Sequence, residues 1–198
     1  MRIGFDVDGV FADFNKSFVE RVVKETGRDL FGERPYVPTT WDYPETHGYT
    51  KEEVSAVWNA IINDPNFWLR LEPFGDETFT SLKQIMDLDQ DLKHDIYFIS
   101  SRPGVKSKFQ TETWIATHAS DFTWRPTVLI SSEKGACAKA LKLDVYIDDY
   151  RKNIEEVRLL SPTTRLYLLD QPWNQLPLLG SVRRVTSIEE MLKVEVLL

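Results

Sequence analysis

Short apolar runs recur along this chain and alternate with longer segments in which apolar residues repeat at helical spacing. Strands that are buried on both faces have this continuous apolar character, and they occur in parallel sheets that helices cover on each side. We therefore predict an α/β fold with a Rossmann-like, parallel, five-stranded sheet and helices on both faces. The predicted strands are the run that precedes Asp6 and the segments 95–100, 127–130, 145–149 and 165–169.

The segment between the first two predicted strands has a different composition. It starts with a helical apolar pattern that extends from Phe14 to a stop at Gly27. Residues 28–50 are rich in proline, glycine and aromatic residues, which predicts irregular structure. Thr50-Lys-Glu-Glu53 resembles a capping box, so we expect a second helix to begin there and to end at Asp64-Pro65.

The amino-acid composition limits the classes of protein to which this chain can belong. The chain of 198 residues is 42% hydrophobic and 12% aromatic, which is typical of a globular protein. Its net charge of −7 argues against a nucleic-acid polymer as partner but does not exclude a small anionic ligand. Cys137 is the only cysteine, so no internal disulfide can form. Because neither a signal peptide nor a run of roughly 20 apolar residues is evident, we expect a cytoplasmic protein without a membrane partner.

Four of the five predicted strands end in side chains that can bind metal or phosphate. In parallel sheets, ligands bind at the carboxyl ends of the strands. Buried carboxylates need a compensating partner, and Mg²⁺ prefers oxygen ligands, while Gly9 lets backbone N–H groups face an anion. These residues predict a Mg²⁺-dependent site for phosphate: Asp6 and Asp8, Ser100 and Ser101, the turn from Ser131 to Lys134, and Asp148 and Asp149.

Each of these motifs has a plainer interpretation when it is taken alone. Asp8-Gly9 is typical of a turn, Ser100 is typical of a strand end or a helix cap, and Lys134 at a helix start is commonly a solvated charge. Chance could place polar residues after one strand. Four strand ends with complementary chemistry favour a functional site.

The order of these motifs resembles that of the haloacid dehalogenase (HAD) superfamily of phosphotransferases. A closer resemblance, to the 5′(3′)-deoxyribonucleotidases, rests on three segments: Asp6-Val-Asp-Gly-Val-Phe-Ala-Asp-Phe14, Asn66-Phe-Trp-Leu-Arg-Leu-Glu-Pro73, and Trp114-Ile followed later by Ser132-Glu-Lys134. The resemblance implies a HAD-like core formed by residues 1–14 and 76–198. It also implies a small helical cap, residues 15–75, inserted after the first strand.

The resemblance and the residue types together imply catalytic roles. Asp6 is the expected nucleophile, and Asp8 is the expected general acid and base. Lys134 and the Ser100 hydroxyl are expected to hold the phosphoryl oxygens. The expected metal ligands are Asp6, the Asp8 carbonyl and Asp148, and Asp149 either binds Mg²⁺ or holds one of its waters.

Substrate-binding residues are also implied by the resemblance. Phe14, Trp41 and Trp58 are the candidates for stacking on a nucleobase, although the apolar stripe of Trp58 equally fits the cap core. Ser101, Arg102 and Lys108 are candidates for further phosphate contacts. The family often has Arg directly after the Asp pair, where this chain has Tyr150.

We therefore expect a Mg²⁺-dependent phosphatase acting on (deoxy)ribonucleoside 5′-monophosphates through an aspartyl phosphate. The alternatives are a related enzyme for a non-nucleotide phosphoester such as a sugar phosphate, and a non-catalytic protein that binds a phosphorylated ligand. A response-regulator receiver does not fit the order of the motifs. A homodimer is compatible with the sequence. The Asp170–Asn174 loop is predicted to be a turn, with no chemistry assigned to it.

Overall fold

The computed structural model describes residues 1–33, 35–75, 77–88, 94–119, 127–178 and 180–195. Six parallel strands form one sheet: β1 (Arg2–Phe5), β2 (Asp95–Ser100), β3 (Thr127–Ile130), β4 (Val145–Asp148), β5 (Arg165–Leu169) and β6 (Arg183–Val185). The helices are α1 (Phe14–Thr26), α2 (Tyr43–Thr46), α3 (Lys51–Asn63), α4 (Glu77–Leu88), α5 (Ser107–His118), α6 (Lys134–Leu141), α7 (Arg151–Leu160) and α8 (Ile188–Glu195), with a 3-10 turn at Pro172–Asn174.

The strand order is β3-β2-β1-β4-β5-β6, so the chain fills one side of β1 first and then the other. Ile3 of β1 is in register with Ile96 of β2 and with Val145 of β4. The order therefore reverses between β1 and β4. In sheets of this kind, the crevice at that reversal lies outside the carboxyl ends of the two strands and is where ligands bind.

Alternate residues of the strands β2 to β5 supply two separate apolar clusters. On β4, Val145 and Ile147 belong to one cluster, while Tyr146 belongs to the other. The first cluster also takes the apolar residues of α1, α3, α4, α5 and α8, and the second is closed by α6 and α7. Burial on both faces explains why the strands are continuously apolar in the sequence.

The predicted helix end at Gly27 and the predicted capping box at Thr50 are both present in the segment between β1 and β2. Asp13 Oδ1 accepts a hydrogen bond from Lys16 N at the start of α1, and Gly27 ends that helix in the left-handed conformation. The capping box at the start of α3 is complete, because the Thr50 and Glu53 side chains each bond the other's backbone N–H.

The connection into this segment and the connection out of it lie side by side. Asp13 N donates to Glu72 O at 2.8 Å, and Phe74 N donates to Phe11 O at 2.6 Å. Helices α1, α2 and α3 lie between these two points in the chain. Residues 15–75 remain our prediction for a cap domain.

The predicted fold class is confirmed, but the predicted number of strands was too low. The sixth strand, β6, has only three residues, Arg-Arg-Val, and pairs with β5 at the sheet edge. Two of its residues are charged, so it has no apolar run to indicate a strand. Residues 28–50 also contain the single-turn α2, within a segment predicted to be irregular. No helix among the described residues has the length and apolar character needed to cross a bilayer.

Candidate active site

The chain turns sharply directly after β1, and this turn places two carboxylates at the sheet edge. Phe11 N and Ala12 N both donate to Val7 O, at 2.8 and 2.9 Å. Gly9 has a φ of +81°, and a Cβ at this position would lie 2.2 Å from Asp149 Oδ2. Only glycine fits here, because any side chain would be strained and would displace the Asp149 carboxylate.

Three buried aspartates meet where the strand order reverses. Asp6 follows β1, Asp148 ends β4 and Asp149 follows it, and a carboxylate oxygen of each lies within 4.8 Å of the others. Three donors hold the Asp148 carboxylate: Tyr146 Oη at 2.6 Å, Tyr150 N at 2.7 Å and Asn153 Nδ2 at 2.9 Å. This cluster offers hard oxygen ligands only, which fits Mg²⁺.

Burial and mutual repulsion disfavour the ionised forms of the three aspartates in this cluster. Burial raises the pKa of Asp6 to about 7, with repulsion from Asp148 and Asp8 adding to it against the attraction of Lys134. Burial and the charges of Asp148 and Asp6 raise the pKa of Asp149 well above its usual value. Burial also raises the pKa of Asp148. A bound divalent cation would compensate these charges.

Lys134, the first residue of α6, is fully buried and reaches Asp6. Its ammonium group donates to Asp6 Oδ1 and to the carbonyl oxygen of Ile99 at the end of β2. Burial lowers the pKa of Lys134, but the charges of Asp6 and Asp148 outweigh that effect and the pKa lies above its usual value. Lys134 is therefore charged in the structure and is not a solvated surface residue.

Asp8 is held by a second buried cation, Arg102, from the loop after β2. Arg102 Nε lies 2.9 Å from Asp8 Oδ2, and Nη2 lies 2.8 Å from Oδ1. The Ser100 hydroxyl oxygen lies 3.5 Å from Asp8 Oδ2 and accepts a hydrogen bond from Arg102 N at 3.2 Å. The bidentate geometry fixes the orientation of the Asp8 carboxylate.

Arg102 is itself enclosed by aromatic rings. Its guanidinium carbon lies 5.0 Å from the ring centroid of Trp68 and 5.6 Å from that of Trp114. Nη1 donates to Thr111 Oγ1 at 3.1 Å. The two indole groups are fixed in turn, because Trp68 Nε1 donates to Pro103 O and Trp114 Nε1 donates to Leu71 O.

A cavity of about 300 Å³ opens onto these carboxylates, and we call it the catalytic cavity. Its lining combines acidic, polar and aromatic side chains: Asp6, Asp8, Asp148, Asp149, Ser101, Arg102, Pro103, Ser132, Asn153, Phe14, Trp41, Trp58, Trp68 and Tyr150. Trp41 stacks on Tyr150 with ring centroids 3.9 Å apart, which joins the inserted segment to the loop after β4.

A second cavity, of about 270 Å³, lies on the side of the inserted helices, and we call it the cap-side cavity. It shares Phe14, Trp41 and Trp58 with the catalytic cavity and is also lined by Tyr43 and Trp173. Phe14 and Trp58 stack with ring centroids 5.6 Å apart and an interplanar angle of 17°. The rings of Phe14, Trp41 and Trp58 therefore line both the catalytic cavity and the cap-side cavity.

The structure brings most of the predicted site residues together at one sheet edge. Ser100 is fully buried and directed towards Asp8, and it is not among the residues that line the catalytic cavity. Lys108 lies apart from the cavity, on the exposed face of α5, where it pairs with Glu112. Trp58 is partly buried, packs on Phe18 in the inserted helices and still lines the cavity.

Several residues of the site carried no sequence signal that we used. Asn153 lies in the first turn of α7, five residues after Asp148. Thr111 bonds Arg102, which in turn holds Asp8, and Trp173 bonds Asp149 from a loop 24 residues further along the chain. A polar residue on the first turn of the helix that follows an acidic strand end is the signal that would have indicated Asn153.

The parallel sheet, the acidic ends of β1 and β4, and the buried lysine define a HAD-like hydrolase. A sequence model of the family described as "5' nucleotidase, deoxy (Pyrimidine), cytosolic type C protein" matches residues 1–196. The chain belongs to this family. It is also similar to a Bacillus cereus protein named "Putative nucleotidase", with 24% identity over 204 residues that cover 98% of this chain and 100% of that protein.

Solved structures of HAD hydrolases share the fold at low sequence identity. The "putative HAD-hydrolase YfnB" from Bacillus subtilis, bound to magnesium, has a TM-score of 0.55 at 14% identity and covers 98% of this chain and 97% of its own. CbbY from Rhodobacter sphaeroides, in complex with phosphate, has a TM-score of 0.54 at 12% identity, with 96% and 95% coverage. These similarities establish the HAD-like fold.

Proposed function

We propose that the protein is a Mg²⁺-dependent phosphatase that hydrolyses (deoxy)ribonucleoside 5′-monophosphates through an aspartyl phosphate on Asp6. One observation carries this proposal. The catalytic cavity is lined both by the carboxylates of Asp6 and Asp8 and by the rings of Phe14, Trp41 and Trp58. A nucleoside monophosphate has the matching parts, namely a phosphate and a flat base.

The residues present can perform a two-step transfer. In the first step, an Asp6 carboxylate oxygen bonds to phosphorus while the bond from phosphorus to the ribose oxygen breaks, and Asp8 gives a proton to that oxygen. In the second step, Asp8 takes a proton from water, the water oxygen attacks phosphorus, and the bond to Asp6 breaks. Inorganic phosphate and the nucleoside are the products.

Two buried cations prepare these carboxylates. Lys134 holds one oxygen of Asp6 and places a positive charge beside the expected position of the phosphoryl group. Arg102 holds Asp8 through two nitrogens. Both cations are buried and bonded to a carboxylate, so these donors are held in fixed positions at the site.

The residues at the acidic cluster fit Mg²⁺. Asp6, Asp148 and Asp149 would hold the ion, since their carboxylates are buried, close together and have raised pKa values. When bound, Mg²⁺ offsets the repulsion between the Asp6 carboxylate and the anionic phosphate. The magnesium-bound Bacillus subtilis hydrolase of the same fold is consistent with this assignment.

The experiment that tests the proposal is a phosphate-release screen of the wild-type protein. The panel contains ribo- and deoxyribonucleoside 5′- and 3′-monophosphates and sugar phosphates, each with Mg²⁺ and with a chelator. We expect release from the nucleoside 5′-monophosphates with Mg²⁺ and a loss of activity with the chelator. Activity confined to sugar phosphates would reject the nucleotide substrate and favour the non-nucleotide alternative. No activity on any member of the panel would reject the phosphatase itself.

A further inference from the structure

The loop after β5, Asp170–Asn174, is anchored to the catalytic turn although its sequence indicates only a turn. Pro172–Asn174 forms a 3-10 turn. Asn174 Nδ2 donates to Asp149 O at 2.8 Å and to Leu169 O at 2.7 Å. Gln171 Nε2 donates to Gly9 O at 3.0 Å. Through these hydrogen bonds the loop contacts the backbone at both acidic strand ends. The Gln171 and Asn174 side chains that make them are buried.

Trp173, in the middle of this loop, contacts the carboxylate of Asp149 directly. Its indole N–H donates to Asp149 Oδ2 at 2.9 Å. Gly9 lies so close to the same oxygen that a Cβ there would be 2.2 Å from it. The Asp149 carboxylate therefore lies close to the Gly9 backbone and accepts a side-chain hydrogen bond from the Trp173 indole N–H.

We propose that Trp173 is a positioning residue that orients the Asp149 carboxylate for the divalent cation. A carboxylate that binds a metal is commonly oriented by an outer hydrogen-bond donor, and loss of such a donor typically reduces metal affinity by roughly 10- to 100-fold. At the neighbouring Asp148, three hydrogen-bond donors fix the orientation of the carboxylate. Trp173 provides the corresponding side-chain contact for Asp149. This inference rests on the Mg²⁺ site of the proposed function.

The ring of Trp173 lines a cavity, whereas its N–H bonds Asp149, so the test needs a variant that removes only the N–H. The ring lines the cap-side cavity next to Trp41 and Phe14. Removal of the whole side chain would open that cavity as well as break the hydrogen bond. Trp173→Phe removes the N–H and keeps an aromatic ring.

The test is the affinity of the protein for Mg²⁺ alone, measured by isothermal titration calorimetry at one pH. The matched control is Tyr49→Phe, because it also removes a single hydrogen-bond donor from a buried aromatic ring, but Tyr49 Oη donates to Arg28 O, away from the acidic cluster. We expect Trp173→Phe to raise the Kd for Mg²⁺ about tenfold or more. Tyr49→Phe is expected to keep the wild-type Kd.

Equal Kd values for the wild type and Trp173→Phe would overturn the inference, and so would the same loss in both variants. If the wild type does not bind Mg²⁺, both the inference and the metal dependence fail. If the wild type binds Mg²⁺ but releases no phosphate from any substrate, the proposed function fails while the inference is still decided by the two Kd values.

If Trp173→Phe does not fold, a second measurement on the wild-type protein tests the proposed role of Trp173. In the ¹H–¹⁵N spectrum of the wild-type protein, the assigned indole N–H resonance of Trp173 is expected to shift on Mg²⁺ addition, while that of Trp114 is not. Mg²⁺ binding that leaves the Trp173 resonance unchanged would contradict the proposed contact.

Discussion

Arg102 binds the Asp8 carboxylate with two nitrogens, at 2.9 Å from Nε to Oδ2 and 2.8 Å from Nη2 to Oδ1. The sequence led us to expect Arg102 as a contact for substrate phosphate. Its side chain lines the catalytic cavity and is also buried between Trp68 and Trp114, with its third nitrogen bonded to Thr111. The geometry makes Arg102 the residue that orients the proposed acid and base.

Arg102→Lys separates these two roles. Lysine keeps the charge but loses the planar pair of donors, so Asp8 would be poorly oriented for proton transfer. We expect kcat to fall roughly 10- to 100-fold, no more than the roughly 100- to 10,000-fold contribution typical of a general acid, while KM changes little. Steady-state phosphate release measures both constants. A higher KM with unchanged kcat would instead assign Arg102 to substrate phosphate.

Asp6→Asn tests the proposed nucleophile. The amide has nearly the same shape as the carboxylate but cannot form the phosphorylated intermediate, so turnover is expected to fall below detection. The fold should persist, because the change also removes one of the mutually repelling buried carboxylates. Phosphate release and the thermal unfolding midpoint are the two measurements. Substantial residual activity in the folded variant would rule out Asp6 as nucleophile.

The acidic cluster predicts a particular pH dependence of stability in the metal-free protein. The folded-state pKa of Asp6 is about 7, against 3.8 as the usual value, and those of Asp148 and Asp149 are also raised. A carboxyl with a raised pKa contributes full stability below its unfolded pKa, and that contribution is lost as the pH rises through the folded pKa. Metal-free protein should therefore lose the stability contributed by Asp6 between about pH 4 and pH 7, and the raised pKa values of Asp148 and Asp149 act in the same direction.

Mg²⁺ should restore this lost stability, and more so at high pH, because it binds the ionised carboxylates. At a concentration of 100 times its Kd, a ligand contributes about 2.7 kcal/mol, which is roughly 5–10 °C in Tm for a chain of this size. We expect that shift at pH 8 and a much smaller one at pH 5, measured by thermal unfolding with Mg²⁺ and with chelator. Asp149→Asn should reduce the Mg²⁺ shift at pH 8. A shift that is equal at both pH values would contradict the cluster as the binding site.

The sequence predicted the positions of the strand ends well, and for a physical reason. Residues after the strands of a parallel sheet converge at one edge whatever the lengths of the connecting helices. Asp6, Lys134 and Asp148 are far apart in the chain, yet each could be placed at that edge from its strand alone. The apolar runs that define the strands are strong signals because both faces of the sheet are buried.

Side-chain pairings within the site could not be predicted in the same way. The contact from Arg102 to Asp8 spans 94 residues, and that from Trp173 to Asp149 crosses from one loop to another. Such contacts depend on the course of loops and on rotamers, about which apolar periodicity says nothing. The three-residue β6 was missed for a related reason, since its pairing with β5 is set by tertiary structure and not by its composition.

The stack of Trp41 on Tyr150 gives the most direct test of substrate class. Trp41 is about half exposed, at 51% of its maximal accessible surface, so Trp41→Ala should leave the fold intact. Stacking of a base on an aromatic side chain is worth roughly 1–3 kcal/mol, so we expect KM for a nucleoside monophosphate to rise about 5- to 150-fold. Trp41→Phe, which keeps a ring, should restore most of the affinity. KM for a sugar phosphate, if that is hydrolysed, should not change. An unchanged nucleotide KM in folded Trp41→Ala would mean that Trp41 stacks only on Tyr150 and that the base, if one is bound, lies against Phe14 and Trp58.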